Sequence, residues 1–319
     1  MCNQINSIQL ELTNKCNFSC KKCSHNATSS FKEFASHKLV EIVSTGFNNL
    51  KHVHLSGIGE PLLHPELFEI ISCLSKHRKL FLSITTNGSL LSESICEKIV
   101  ESDLGMIDIS LDYSSEVTFN QNISKNYSLN KIHSNIATLL EIRAKTQKRK
   151  PKINLVSVLS TVNLNEIANI IFFAGKHKID NYYLINYNPQ VNEVYTPGNI
   201  AYPELQSKSI EWRQIAKENN INFSLPPFPV ADCDEIINCN WLNNSIFINC
   251  RGDVLPCCLR TDDVYAFGNI FEKSFAEIWS SNYYVQSRKS LNENRSPPFC
   301  KNCLQLHNRL LPKMFDRNK

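Results

Sequence analysis

The chain has 319 residues, 42% of them hydrophobic, and a formal net charge of +4 at pH 7. This length and composition allow one substantial core with a small appended domain. The mild charge argues against a nucleic-acid partner or a membrane surface, no apolar stretch reaches the roughly 18 residues that span a bilayer, and no signal peptide is evident. The thirteen cysteines then indicate metal ligation in a reducing, cytoplasmic environment rather than disulfides.

Three closely spaced cysteines follow the first apolar alternation of the chain, residues 8–12. Cys16, Cys20 and Cys23 have the spacing C-x3-C-x2-C. Three thiolates on one loop can bind three irons of a cubane cluster and leave the fourth iron open. A zinc knuckle is the alternative, but zinc sites favour paired C-x2-C units. The triplet therefore favours a catalytic iron–sulfur cluster.

Strand and helix patterns alternate through the first two thirds of the chain. The predicted strands cover residues 8–13, 52–56, 80–85, 106–111, 153–159 and 182–187. Helical patterns lie between them: one starts at Pro65, one is capped by Ser92, one covers residues 132–140 and one starts near residues 163–165 and runs to Phe173. Such alternation predicts parallel strands with right-handed crossovers. We expect an α/β fold, a partial (β/α)6 TIM-like barrel, with its site at the C-terminal strand ends.

Polar or glycine-rich segments lie on or directly after four of these predicted strands in succession. The candidates are Gly57, Gly59 and Glu60 after the second strand, Asn87 after the third, Ser110 and Asp112 at the end of the fourth, and Ser157 on the fifth. The glycines are expected to allow close backbone approach and positive φ. Each residue also has a structural alternative, because polar residues at strand ends form turns and cap helices.

The composition changes at the proline-rich segment 226–229, which predicts an extended linker. We therefore expect a barrel domain over residues 1–225 and a second domain over residues 226–319. In the second domain, residues 245–249 and 253–255 predict a β-hairpin and residues 275–279 a helix. Cys300 and Cys303 then form a C-x2-C pair.

Three segments of the chain resemble motifs of the radical S-adenosylmethionine (radical SAM) superfamily. They are Cys16-Asn17-Phe18-Ser19-Cys20-Lys21-Lys22-Cys23, the Gly59-Glu60 pair and the Thr86-Asn87-Gly88 turn. The residue before the third cysteine is usually aromatic in that family, whereas here it is Lys22. The resemblance implies a [4Fe–4S] cluster on Cys16, Cys20 and Cys23 whose open iron binds SAM, with the strand-end residues contacting that cofactor. Reduction, by a partner such as flavodoxin or ferredoxin, would yield a 5′-deoxyadenosyl radical that abstracts hydrogen from an unactivated C–H.

The order of motifs after the linker resembles the SPASM/twitch auxiliary-cluster domain. These motifs are Cys239, Gly252-x4-Cys257, Gly268-Asn269-Ile270, Ile278-Trp279 and the final C-x2-C. The resemblance implies a second [4Fe–4S] cluster, held by Cys239, Cys257, Cys300 and Cys303. It implies the shorter twitch form, because no cysteine follows Cys303. Zinc stays a rival for this site, since two cysteines plus a C-x2-C pair also suit a tetrahedral ion.

The expected activity is hydrogen abstraction from a natural-product intermediate or a ribosomal peptide. The auxiliary cluster could remove an electron from the substrate radical, giving oxidation or cross-linking as by an oxidoreductase. Alternatively, Cys250 or Cys233 could return a hydrogen atom, giving an epimer. The early position of Cys16 leaves no room for a preceding recognition domain, which favours a small molecule or a peptide presented by another protein. A non-catalytic iron–sulfur or zinc scaffold of the same fold is the alternative.

Overall fold

A computed structural model describes residues 5–23, 33–77, 79–123, 126–187, 202–226 and 239–300, together with Cys303. The strands within these residues are β1 (Ser7–Leu10), β2 (His52–Leu55), β3 (Phe81–Thr86), β4 (Leu104–Ser110), β5 (Lys152–Leu159), β6 (Asn181–Asn186), β7 (Phe223–Ser224), β8 (Ser245–Ile248), β9 (Asp253–Leu255) and β10 (Gly268–Asn269). The helices are α1 (His37–Gly46), α2 (Leu67–His77), α3 (Glu93–Glu101), α4 (Glu116–Asn122), α5 (Leu129–Lys145), α6 (Ile167–Lys176), α7 (Tyr202–Glu218), α8 (Asn240–Asn243), α9 (Phe275–Trp279) and α10 (Asn282–Asn292). None of these helices combines the length and hydropathy that a membrane crossing requires.

All the described strands belong to one sheet, in the order β10-β9-β8-β1-β2-β3-β4-β5-β6-β7. Strands β1 to β7 are parallel, and each pairs with the next along the chain. Helical crossovers between consecutive parallel strands place the C-terminal ends of the strands at one edge. The predicted α/β fold is confirmed, and the six predicted barrel strands differ from the observed ones by three residues or fewer at either end.

The C-terminal hairpin extends this sheet beyond β1. Strand β8 pairs in parallel with β1, with Ile8 opposite Ile246, and in antiparallel with β9, with Ile248 opposite Val254. The predicted hairpin is confirmed, and its first strand continues the barrel sheet. Since β1 and β8 run in the same direction, the residues that follow both strands emerge at the same edge.

The two faces of the sheet differ in polarity. Val53 and Leu55 are fully buried within the hydrophobic core. The alternate residues of β2, His52 and His54, face the other side and are only partly buried. Both imidazoles hydrogen-bond Ser83 Oγ at 2.7 Å. The face opposite this part of the core therefore carries polar groups.

Helix termini follow local side-chain chemistry. Ser92 caps α3 as predicted, with Oγ accepting from Ile95 N at 3.3 Å. The helix predicted to start near residues 163–165 begins at Ile167 instead. Asn163 closes a turn before it, because its Oδ1 accepts from Ser160 N at 2.9 Å and its Nδ2 donates to Asp112 O at 3.0 Å. Residues 227–229 of the predicted linker lie outside the described residues.

Candidate functional site

The Cys16, Cys20 and Cys23 thiols lie on the loop that follows β1, and all three residues are partly buried. Phe18 anchors this loop, because its buried ring meets Phe119 and Tyr127 edge-on, with centroids 6.0 and 4.9 Å apart. Backbone bonds add to this support: Lys21 N donates to Asn122 O at 2.9 Å, and Cys23 N donates to Cys20 O at 3.1 Å. The loop is thus held in place by the α4 region.

The three thiols are close enough to affect one another's ionisation. Burial, followed by the nearby charges of Glu60 and Cys23, raises the pKa of the Cys16 thiol to about 11. Burial also raises the pKa of Cys20, and both other thiols contribute. Among the residues that the structure describes, no three His, Cys, Asp or Glu side chains are gathered closely enough to ligate one metal ion. Three thiols spread over one short loop fit the three-cysteine donor set of an iron–sulfur cube, and cluster binding would release their protons.

The glycine–glutamate loop after β2 rests directly on the cysteine loop. A Cβ on Gly59 would lie 2.2 Å from Thr13 O and 2.5 Å from Lys15 O, and Glu60 N donates to Lys15 O at 2.7 Å. The expected close backbone approach is confirmed. The expected positive φ is wrong for both Gly57 and Gly59, because neither lies in the left-handed region. Only glycine leaves room for this contact between the two loops.

Glu60 is 3% exposed and accepts hydrogen bonds from three donors. Thr86 Oγ1 donates at 2.7 Å, Asn87 N at 2.7 Å and Leu62 N at 3.1 Å. Burial raises the pKa of Glu60 to about 7, although these hydrogen bonds oppose the shift. A carboxylate has about four acceptor positions, so one remains for a further donor. Glu60 therefore links the loops after β2 and β3 and keeps one acceptor position.

Asn87 links the turn after β3 to the cysteine loop. Its Nδ2 donates to Asn17 Oδ1 at 2.9 Å, and Asn17 Nδ2 in turn donates to Ser89 Oγ at 2.8 Å. The Asn87 side chain also lies near the Cys16 thiol, whose pKa it lowers, against the larger effect of burial. Gly88 has φ +75°, as the predicted turn requires. The loops that carry Cys16, Glu60 and Asn87 thus form one hydrogen-bonded unit.

Asp112, just beyond β4, binds the cysteine loop through an ion pair. Its Oδ2 lies 2.6 Å from Lys22 Nζ, and its Oδ1 accepts from Val158 N at 2.7 Å. Ser110 ends β4 and is partly buried. Ser157 is fully buried and its hydroxyl contacts Leu111 O and, at 2.8 Å, Tyr182 Oη. Both of these contacts lie inside the sheet.

A second group of cysteines lies in the C-terminal part of the chain. Cys239, Cys257, Cys300 and Cys303 influence one another electrostatically, which places the four predicted ligands in one neighbourhood. Cys258 belongs to the same group: burial, then the charges of Cys239 and Cys303, raises its pKa to about 12. Its adjacency to Cys257 is the sequence signal for this fifth thiol. These donors fit an iron–sulfur cluster as well.

Cys250, one of the two predicted hydrogen donors, lies between Cys239 and Cys257 of the second group in sequence and beside the first loop in space. It follows β8, is 5% exposed and lines a cavity of about 190 Å³. Asn14, two residues before Cys16, and Ile58 line the same cavity. The other predicted donor, Cys233, lies outside the described residues.

Sequence reasoning missed Glu11, which directly follows β1 and lines this cavity. Glu11 is 2% exposed, and its carboxylate accepts from Ile58 N at 2.8 Å and from Cys250 N at 3.4 Å. The sequence signal was a charged residue between the apolar residues Leu10 and Leu12. Its partner Cys250 is 239 residues away, too far for any local pattern.

Two sequence models match the chain. The model described as the radical SAM superfamily matches residues 10–174, and the SPASM model, described as an iron–sulfur cluster-binding domain, matches residues 239–304. A curated relative from Pyrococcus furiosus, the tungsten-containing aldehyde ferredoxin oxidoreductase cofactor-modifying protein, is 26% identical over 324 residues, covering 93% of this chain and 86% of the relative. The GTP 3',8-cyclase of Clostridium perfringens (strain SM101 / Type A) is 31% identical over 183 residues, covering 56% of this chain and 54% of the cyclase.

The fold is similar to that of a solved structure, Streptococcus suis SuiB bound to the precursor peptide SuiA. The TM-score is 0.70 at 17% sequence identity, and the match covers 96% of this chain and 71% of the SuiB chain. At this identity the comparison concerns the fold alone.

Proposed function

Because the chain belongs to the radical SAM superfamily and carries an iron–sulfur cluster-binding SPASM domain, we propose that it inverts a carbon centre of its substrate, with Cys250 returning the hydrogen atom. The observation that carries this proposal is the position of a buried thiol on a cavity beside the three-cysteine loop. A thiol has a weak S–H bond and can quench a carbon radical. The enzyme would then be an epimerase.

Cys16, Cys20 and Cys23 would hold the first [4Fe–4S] cluster. When bound, this cluster and SAM supply a 5′-deoxyadenosyl radical that abstracts a substrate hydrogen. Glu60 offers its remaining acceptor position to a cationic group of the cofactor, and Gly57 and Gly59 let the backbone come close. The other residues proposed to surround the cofactor are Asn87, Ser110 and Asp112, with Ser157 as an indirect support.

The C-terminal thiols would hold a second [4Fe–4S] cluster, through Cys239, Cys257, Cys300 and Cys303. Their proximity supports this assignment. The matched SPASM model, which begins at residue 239, supports iron–sulfur over zinc. The proposed total is therefore two clusters per chain.

The substrate is proposed to be a small natural-product intermediate or a ribosomal peptide. SuiB in the solved complex binds a precursor peptide, which supports a peptide, and the Pyrococcus relative is named for cofactor modification, which supports a small molecule. We propose a cytoplasmic enzyme that takes electrons from flavodoxin or ferredoxin. Nucleic acid and membranes are not proposed as partners, because the net charge is only +4.

Oxidation is the second candidate reaction. The structural observation that favours it is the pairing of β8 with β1, which joins the SPASM segment to the sheet that carries the first cysteine loop. An electron could then pass from the substrate to the second cluster, and the product would be oxidised or cross-linked. Cys250 would have no role in that reaction.

The deciding experiment is anaerobic reconstitution in deuterated buffer, with mass spectrometry of candidate substrates. Epimerisation predicts one solvent deuterium at carbon in the product. Cys250→Ala should still form 5′-deoxyadenosine but should not form the inverted product, whereas Cys73→Ala, which removes a thiol from α2, should behave as the unmodified enzyme. Loss of two hydrogens from the substrate, unaffected by Cys250→Ala, would favour oxidation. A reconstituted protein that never cleaves SAM would instead support the scaffold alternative.

A further inference from the structure

We infer that Glu11 is the positioning residue for Cys250: its carboxylate accepts a hydrogen bond from the thiol and so keeps on sulfur the hydrogen that is to be transferred. This inference rests on the proposed function, since it gives the proposed hydrogen donor its partner. Glu11 emerges from β1 and Cys250 from β8, and these strands are parallel neighbours. The fold therefore brings the two residues to one edge of the sheet.

The Glu11 carboxylate is fixed from two sides. Its Oε2 accepts from Ile58 N at 2.8 Å, and its Oε1 accepts from Cys250 N at 3.4 Å. The Cys250 thiol lies near the same carboxylate and interacts with it. A Cβ on Gly57 would lie 2.3 Å from both Cγ and Oε2 of Glu11, so glycine provides the space for this arrangement. The carboxylate therefore has little freedom to leave the sulfur.

The charges around the pair favour a neutral thiol. Arg251 is the cation that acts on both Glu11 and Cys250, but its guanidinium is shared with Asp263 and, at 3.5 Å, Asp253. Glu33 adds a further negative charge facing Cys250, and Asp262 lines the cavity. Burial, then the charge and hydrogen bond of Glu11, raises the pKa of Cys250 well above that of a free thiol.

A neutral thiol matters because a thiolate has no hydrogen atom to give. Transfer breaks the S–H bond of Cys250 and forms a C–H bond on the substrate, which leaves a sulfur-centred radical. One electron from a reductant of the ferredoxin or flavodoxin class and one proton restore the thiol. The Glu11 carboxyl lies near the sulfur and lines the cavity, so it can pass that proton from water to sulfur.

Alkylation of Cys250 tests this inference without loading the enzyme with SAM. Iodoacetamide is applied anaerobically to the purified protein, from about pH 7 to about pH 10 across the ordinary range of thiol ionisation, and the Cys250 peptide is quantified by mass spectrometry. Glu11→Gln should speed alkylation about tenfold, the factor expected for a thiol pKa lower by one unit. Glu33→Gln should have a smaller effect, because Glu33 acts on Cys250 through charge alone.

The Cys96 thiol, fully buried on α3, reports folding in the same digest. Unchanged Cys250 alkylation in Glu11→Gln, with Cys96 equally protected, would overturn the inference. If Glu11→Gln exposes Cys96, the variant Glu11→Asp is used in its place. Because Glu11→Asp retains a carboxylate, its Cys250 should be alkylated slowly, as in the unmodified protein. In turnover, product per 5′-deoxyadenosine should fall with rising pH in Glu11→Gln only. Cys250→Ala should lack the inverted product at every pH. Inverted product from Cys250→Ala would overturn the proposed hydrogen donor, whereas the alkylation result tests the role of Glu11 separately.

Discussion

Buried polar side chains join the loops of this site to one another. Glu60 and Glu11 are almost fully buried, and each accepts backbone N–H groups from a neighbouring loop. Buried donors and acceptors cost free energy when their partners are removed. Substitutions at these positions should therefore displace the loops as well as change their chemistry.

Gly59 offers a test of the contact between the two loops. Gly59→Ala would place a Cβ 2.2 Å from Thr13 O, and overpacking of this kind costs about 1–3 kcal/mol. We expect a lower free energy of unfolding and reduced iron at the first cluster, measured by denaturant unfolding and iron analysis. Gly46→Ala is the matched control, because nothing lies within 4 Å of its new Cβ. Equal iron content in the two variants would contradict the proposed loop contact.

His64 should make stability depend on pH. Its ring is buried, with Nε2 3.1 Å from Ala35 O, and burial lowers its pKa from 6.5. Above pH 6.5 the ring is neutral in both the folded and the unfolded chain. As the pH falls through that value, the unfolded chain binds the proton first, so the free energy of unfolding decreases. Unfolding by denaturant at several pH values should show a smaller decrease in His64→Gln, and identical pH profiles would disprove the assignment.

The cysteine loop and the end of β4 are held together by one ion pair between elements. Lys22 and Asp112 have side chains only 14% and 6% exposed. Lys22 stands where the family usually has an aromatic residue, and in this chain its ammonium pairs with a carboxylate. The loop position then depends on charge balance.

Breaking this pair from one side should be costly. Lys22→Met leaves the buried Asp112 carboxylate without its cation, which typically costs about 3–5 kcal/mol. Adding Asp112→Asn should restore much of the loss, because it removes the unpaired charge. A double-mutant cycle on the cluster-free protein, measured by urea unfolding, gives the coupling free energy. Additive single-variant effects would mean that the two charges do not interact.

Local patterns predicted most of the elements, but not the contacts between them. The strand bounds followed from short apolar runs, and the cap at Ser92 from one side chain. Helix α7 was not predicted, because few of its residues are apolar. Helix α1 was not predicted either, although Ser36 caps it in the structure. This serine was therefore a sequence signal for the start of α1. The pairing of β8 with β1 was not predictable from local patterns, since it joins segments more than two hundred residues apart.

At the scale of the whole molecule, the SPASM segment and the barrel share one sheet. Strand β8 covers the edge of β1 that faces away from β2. An uncovered edge strand exposes unpaired backbone groups. Loss of the second cluster should therefore weaken the pairing of β8 with β1 and so destabilise this edge of the barrel sheet.

Replacing Cys300 and Cys303 together by Ala should show this coupling. Bound iron should fall from about eight to about four per chain by cubane stoichiometry, SAM cleavage should persist in part, and product should be lost. Hydrogen exchange should increase in β8 and β1, while β5, further along the sheet, stays protected. If β1 of a soluble variant exchanges hydrogen as slowly as β1 of the unmodified protein, the SPASM segment does not stabilise the barrel. Stoichiometric zinc in the unmodified protein would contradict the second cluster.

The partnership of Glu11 with Cys250 also has a consequence for biosynthesis on the ribosome. The two residues are separated by 239 positions, a delay of roughly 10–50 s at ordinary rates of chain elongation. During that time β1 can pair with β2, but the Glu11 carboxylate has no sulfur beside it. The nascent barrel thus completes its cysteine loop long before its proposed hydrogen donor exists. Assembly of the clusters after release of the chain would keep radical chemistry from starting in a protein that cannot yet end it.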